Sequence, residues 1–189
     1  CYRLAMTTLH RLLWLTLLWA VALPATAADR LAVLELTGSA ASEEFMIQLS
    51  DKLRSGALEA ARSSDLDLDI MTRESMAAIL GDMGVDAACV EGQCEVETAR
   101  NLQAAYVISG SLVQLEGQYI VTTKLHSAAS GSLLSTEEAI SASLLKLRTE
   151  LHKSGAQLLF VGLGLTPSSP VAATAPSEAR FDADFGTIS

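Results

Sequence analysis

The chain has little of what reactive sites are usually built from. It holds three cysteines, three histidines and two tryptophans, and aromatic residues make up 5% of it. No two cysteines stand in a Cys-x-x-Cys pair, the usual spacing of a dithiol redox motif. No serine sits in a Gly-x-Ser-x-Gly turn, and no glycine-rich loop opens a helix to cradle a phosphate; Gly162–Leu165, "GLGL", follows a helical stretch instead. "SGS" at Ser109–Ser111 lies within a strand pattern, where Gly110 suits close backbone packing better than a nucleophile. Catalysis by a nucleophile, base and orienting group therefore has no visible constellation, and no cofactor is expected.

Basic residues are also scarce, 13 against 22 acidic ones. Arg3 and Arg11 are the only charges before residue 28; without them 11 basic residues face 22 acidic ones, a net charge of −11. Nucleic-acid affinity comes mainly from Lys and Arg on phosphates, so this composition argues against such a partner. A basic amphipathic helix for a membrane surface is not apparent in the sequence either.

Long apolar runs are confined to one place. Residues 6–28 read "MTTLHRLLWLTLLWAVALPATAA": a short polar segment with Arg11, an apolar run, Pro24, then Ala25-Thr26-Ala27. That is the layout of a secretory signal peptide, spanning residues 1–27 with cleavage expected between Ala27 and Ala28. The run is short for a membrane span, which needs about 20 residues. An uncleaved anchor is the other reading. Met6 is the expected start, and no cysteine follows the run to accept a lipid. The mature protein is expected to be periplasmic or secreted, with no direct membrane insertion after cleavage.

What remains suits one domain over residues 28–164. "RLAVLELTG", Arg30–Gly38, reads as a strand stopped by Gly38. Ser42 fits an N-cap with Glu43 and Glu44 in the first turn, and Phe45, Leu49, Leu53 and Ala57 mark a helix to about Ser63. "DLDLDIM", Asp65–Met71, alternates as a strand with Leu66, Leu68 and Ile70 facing inward. Its spacing does not match a calcium loop, because the positions that need Gly and Glu hold Ile70 and Met76. Thr72 caps a second helix with a Met76, Ile79, Leu80, Met83 stripe, ended by Gly84. A third helix runs from about Glu95 to Gln103. Three strands follow, turning at Glu116-Gly117 and Ser130-Gly131. A last helix over Ser143–Phe160 buries Leu144, Leu147, Leu151 and Leu158, with a kink or early end expected at Gly155. The order β-α-β-α-α-β-β-β-α predicts an α/β (α+β) fold. Its single mixed sheet has about five strands: a parallel pair joined by a right-handed crossover, then an antiparallel meander. Residues 165–189, with "TPSSPVAATAPSEAR" at Thr166–Arg180, read as a disordered tail or as a linker to a further domain.

Several stretches together resemble a known family. They are "LAVLEL", "LSDKLRSGALEAA", "TRESMAAIL" and "CEVETARNLQAAYVISGSLVQLEGQYIVTTKLHSAASGSLL". The pattern is similar to the periplasmic α/β domain shared by the TolB amino-terminal domain, the curli-secretion lipoprotein CsgG and the LpoB-like penicillin-binding-protein activators. It covers about Leu31–Phe160. The resemblance implies a non-enzymatic module for protein–protein contact in cell-envelope assembly or transport, with an unidentified protein partner. The chain lacks the acylated cysteine of the lipoproteins and any long membrane hairpin of the CsgG kind. An accessory amino-terminal domain of a longer enzyme or receptor is the alternative, and a secretion-channel subunit is a third reading.

"CVEGQC", Cys89–Cys94, holds the two cysteines of the mature chain. In an oxidising compartment they are expected to pair as a structural disulfide, with Gly92 permitting the reversal. A redox pair, a metal site and free thiols are the other readings. A metal site would need more ligands than His126 and His152, which the predicted elements keep apart.

Overall fold

A computed structural model describes residues 28–84 and 93–166. Five strands and four helices are found there. They are β1 (Asp29–Val33), α1 (Glu43–Ser63), β2 (Leu68–Ile70), α2 (Arg73–Asp82), α3 (Gln93–Asn101), β3 (Tyr106–Leu115), β4 (Gln118–Ser127), β5 (Leu133–Ser141) and α4 (Leu144–Gly162). The strands form one mixed sheet in the order β2-β1-β3-β4-β5. β1 runs parallel to β2 and β3, and β3, β4 and β5 form the expected antiparallel meander. Between β3 and β4 the chain turns on Glu116 (φ 50°) and Gly117 (φ 77°). Two successive positive φ values match the twist of a two-residue hairpin, and glycine makes the second one easy.

α1 and α2 start where the sequence places their caps, while α3 runs Gln93–Asn101, two residues earlier than expected. Ser42 Oγ accepts from Phe45 N, and Thr72 Oγ1 accepts from Ser75 N. α1 and α4 lie together on one face of the sheet. Leu49, Leu53, Ala57, Leu147, Leu151 and Leu158 meet Leu31, Val33, Ile108, Leu112, Val121 and Leu125 in a fully buried core. A smaller core lies on the opposite face, where Met76, Leu80, Ala99 and Leu102 of the α2/α3 layer cover Ala32 and Val107.

Four expectations are corrected. The first strand ends at Val33 rather than Gly38. Leu36 N donates to Ser50 Oγ of α1 at 2.9 Å instead of to the sheet, so the ladder is interrupted before Thr37 rejoins β3 at Ser111. The second strand is shorter than Asp65–Met71, because Asp65 takes φ 51° to close α1 and Leu66 N returns to Ala61 O; its inward Leu and outward Asp alternation stands. Met83 caps the C-terminus of α2 and is 51% exposed, so it leaves the predicted stripe. Leu144, at the first turn of α4, is only half-buried.

The fifth difference concerns Gly155. It does not end its helix, which continues to Gly162. A Cβ at Gly155 would lie 2.1 Å from Leu53 O, and one at Gly56 would lie 1.8 Å from His152 O. The two glycines let the α1 and α4 backbones touch, which is worth more here than their lost helix propensity. Gly162–Leu165 closes α4: Gly164 has φ 63° and Leu165 N donates to Phe160 O.

Candidate functional site

Strand alternation puts opposite neighbours of the buried residues on the second face of β3–β5. Leu112, Val121 and Ala139 point to the α1/α4 core. Val113, Ile120 and Ile140 therefore point the other way, and the register sets them side by side: Val113 opposite Ile120, and Ile120 opposite Ile140. Val113 is 52% and Ile140 53% exposed, so no described element covers this row. Leu115, 61% exposed, extends it to the hairpin end. Below it the register aligns Ser111, Thr122 and Glu138, then Ser109, Lys124 and Thr136. Where α2 and α3 take over, the face is closed.

At that border lies an open polar cleft of about 600 Å³, lined by Glu95, Val96, Arg100, Lys124, His126 and Gly131 among others. α3 supplies one wall; β4 and the β4–β5 turn supply the other. Arg100 is committed to structure, its Nε donating to Ala128 O at 2.8 Å and its guanidinium to Ala129 O at 3.4 Å. His126 Nδ1 lies 3.7 Å from Glu95 Oε2, beyond a hydrogen bond, with both side chains largely buried. That nitrogen is buried and has no hydrogen-bond partner among the described residues. Lys124, two residues along β4, shares its face.

β5 lies at the end of the strand order, so one side of its nine-residue backbone has no described strand beside it. Glu137 and Glu138 lie in its middle, and the strand carries no basic residue. The other edge, β2, has three residues. A long edge beside an apolar row is what an added strand can use, by main-chain pairing and alternate side-chain contacts.

The residues singled out in the sequence fall elsewhere. Cys94 is half-buried in the first turn of α3, while Cys89 lies outside the described residues, as do Ala27 and the proposed signal segment. Ala28 is the first residue described. His126 and His152 do not converge: His126 faces Glu95, and His152 Nε2 lies 3.2 Å from Glu59 on the helical side. Among the described residues, no three of His, Cys, Asp and Glu cluster as a metal site would need. No described helix is long and apolar enough to cross a membrane. Ser109 is buried on β3 with its Oγ unpartnered, and a Cβ at neighbouring Gly110 would lie 2.6 Å from Thr122 O. The Glu95–His126 cleft escaped the sequence reading because its walls come from distant segments. Only the alternation of β4, with Lys124 and His126 on one face, signalled half of it.

No protein-family model matches the chain, and no curated protein does. Solved structures resemble it in architecture. The LpoB C-terminal domain from Salmonella enterica is 17% identical, with a TM-score of 0.42, covering 67% of this chain and 90% of that one. TolB from Acinetobacter baumannii is 14% identical, with a TM-score of 0.47, covering 72% of this chain and 28% of that one. The PelC dodecamer from Paraburkholderia phytofirmans is 17% identical, with a TM-score of 0.40, covering 74% of this chain and 91% of that one. The first two belong to the family that the sequence resembles, and the likeness to them is one of fold.

Proposed function

We propose that the chain is a non-enzymatic protein-interaction module of the cell envelope. It is exported by the segment cut between Ala27 and Ala28, and it works by holding a protein partner on the open face of β3–β5. The observation that carries this reading is the row Val113, Ile120 and Ile140, apolar, aligned and not covered by any described element, beside a nine-residue edge strand. The family resemblance of the sequence and the signal-peptide layout support the compartment. Glu137 and Glu138 on the edge favour a partner strand that alternates apolar and basic residues. Binding, not a chemical step, is the mechanism: main-chain pairing along β5 supplies affinity, and the apolar row supplies specificity.

The test is site-specific photo-crosslinking in the envelope. A crosslinker at Ile140 should yield one discrete adduct, and Val113→Asp in the same chain should abolish it. A crosslinker at Gln157, exposed on α4, should yield none. Equal adducts from both positions, or an adduct that survives Val113→Asp, would remove this face from the proposal.

A further inference from the structure

The helical side of the molecule carries a second feature, unconnected with the open sheet face. A groove of about 470 Å³ between α1 and α4 is lined by Lys52, Leu145, Arg148, Thr149, His152 and Lys153. No carboxylate is among these residues, although the chain as a whole carries a net charge of −9. Lys153 is offset by Glu150 at 3.1 Å, and His152 Nε2 lies 3.2 Å from Glu59 Oε2. Lys52 and Arg148 are in no described ion pair, and the buried Nε of Arg148 makes no hydrogen bond.

The first turn of α4, whose Leu145 lines the groove, brings no acidic residue to it. The other three helices each carry a glutamate in the first turn, and α4 carries none. Its N-cap Ser143 makes no side-chain capping bond, so the helix dipole there is not offset. Two cations in no described ion pair line the same groove, and an anion between them would offset both charges. Guanidinium and ammonium groups with a nearby hydroxyl suit phosphate oxygens, Arg148 by paired N–H bonds and Lys52 as a point charge.

From these features we infer that the α1/α4 groove binds a phosphate group, with Lys52 and Arg148 as its charge partners and Thr149 as a hydroxyl donor. Leu145, 69% exposed at the rim, gives an apolar contact beside the charge. The same phosphate chemistry is available from a soluble phosphate or from a lipid headgroup at a membrane surface. No insertion is implied in either case.

The full chain is titrated calorimetrically with inorganic pyrophosphate, and sedimented with vesicles of phosphatidylglycerol in phosphatidylcholine, both at low salt. Wild-type protein should bind at least one probe. The double variant Lys52→Gln/Arg148→Gln should bind it at least about tenfold more weakly, as expected for two lost charge-assisted contacts. Lys146→Gln is the control, since Lys146 is exposed on the same helix but does not line the groove. It should leave binding unchanged. Pyrophosphate binding that the double variant loses assigns a soluble phosphate; vesicle binding that pyrophosphate fails to displace, lost in the same way, assigns a headgroup. If Arg148→Gln lowers the unfolding midpoint, Lys52→Gln alone carries the comparison, because Lys52 is half-buried and makes no described hydrogen bond or ion pair. No binding of either probe overturns the site. An equal loss in Lys146→Gln also overturns it, leaving only diffuse attraction.

Discussion

The two faces of the sheet are built from the same strands and treated differently. On the α1/α4 face, Ile108, Leu112, Val121 and Leu125 are fully buried, and two helices press so close that their backbones touch at Gly56 and Gly155. On the other face, Val113 and Ile140 remain half-exposed next to a row of Ser, Thr and Glu. The first face has the features of a core optimised for stability. The second keeps apolar surface available, which a free-standing domain gains nothing from unless something covers it. The packed core and the proposed recognition face are thus separated by a single layer of strands. The two sides can be perturbed independently.

The largest expected effect breaks the closed face. Gly56→Ala adds a Cβ where His152 O would be 1.8 Å away. The helix-propensity gain of about 1 kcal/mol is overwhelmed by the forced separation of α1 and α4, and a net loss of about 3 kcal/mol is expected in urea unfolding. A midpoint at or above wild type would mean the helices slide apart freely. The contrast between the two faces would then weaken.

Neighbouring residues sharpen the contrast. Leu112→Ala, on the covered face, should cost about 3 kcal/mol through the cavity it leaves. Val113→Ala, one residue on, should change stability by about 0.5 kcal/mol, the range of an ordinary surface change. Chemical denaturation of the pair reads out the difference directly. The reverse ranking would show that the open face is occupied in the folded protein.

The smaller α2/α3 layer is where the proposed disulfide acts. Cys94 opens α3, and pairing with Cys89 would tie that helix to the segment after α2. So short a closed loop contributes at most about 2 kcal/mol. Cys89→Ser should lower stability by up to that amount without altering the α1/α4 core. Alkylation of the exported protein under denaturing, non-reducing conditions should add no mass. Two labelled thiols would end both the pairing and the argument it lends to export.

Much of this organisation was legible in the chain. The 3.6-residue period of Leu49, Leu53 and Ala57 and the period-2 pattern of Leu66, Leu68 and Ile70 named their elements and their inward faces. The caps at Ser42 and Thr72 marked two helix starts. What could not be read were decisions made by distant partners. Gly155 looked like a helix breaker because its contact, Leu53 O, lies on another helix. Gly38 looked like the end of a strand that Ser50 interrupts sooner. β3 is apolar on both parities, with Ile108 and Leu112 on one and Val107, Val113 and Leu115 on the other, so alternation could not say which face would be covered. The candidate site lies in that ambiguity.

Glu35 stands at the boundary between the two layers, and it yields the smallest expected effect. It follows β1, between α1 and the start of α2. Both carboxylate oxygens are buried without a hydrogen-bond partner, and the nearest cation, Arg73 Nε, is 4.0 Å away. Ser50 is close and opposes the effect of burial, but its hydroxyl is shared with Met46 O, to which it donates at 2.9 Å. Burial of the charged form raises the pKa of Glu35 above 4.5, against the opposing pull of Arg54 and Arg73. A folded-state pKa above the unfolded one means that the protonated carboxyl is the form the fold tolerates. Its contribution is fully present below pH 4.5 and is lost as pH rises through the raised value. Glu35→Gln keeps the shape and removes the charge. It should therefore raise stability at pH 7 and flatten the slope of stability against pH just above 4.5. With the side chain 40% exposed, solvent screening holds the gain below about 1 kcal/mol. Unfolding midpoints at pH 4 and pH 7 measure it. A Glu35→Gln protein less stable at pH 7 would show that the Arg73 contact outweighs desolvation, and that Glu35 is a tie between the layers.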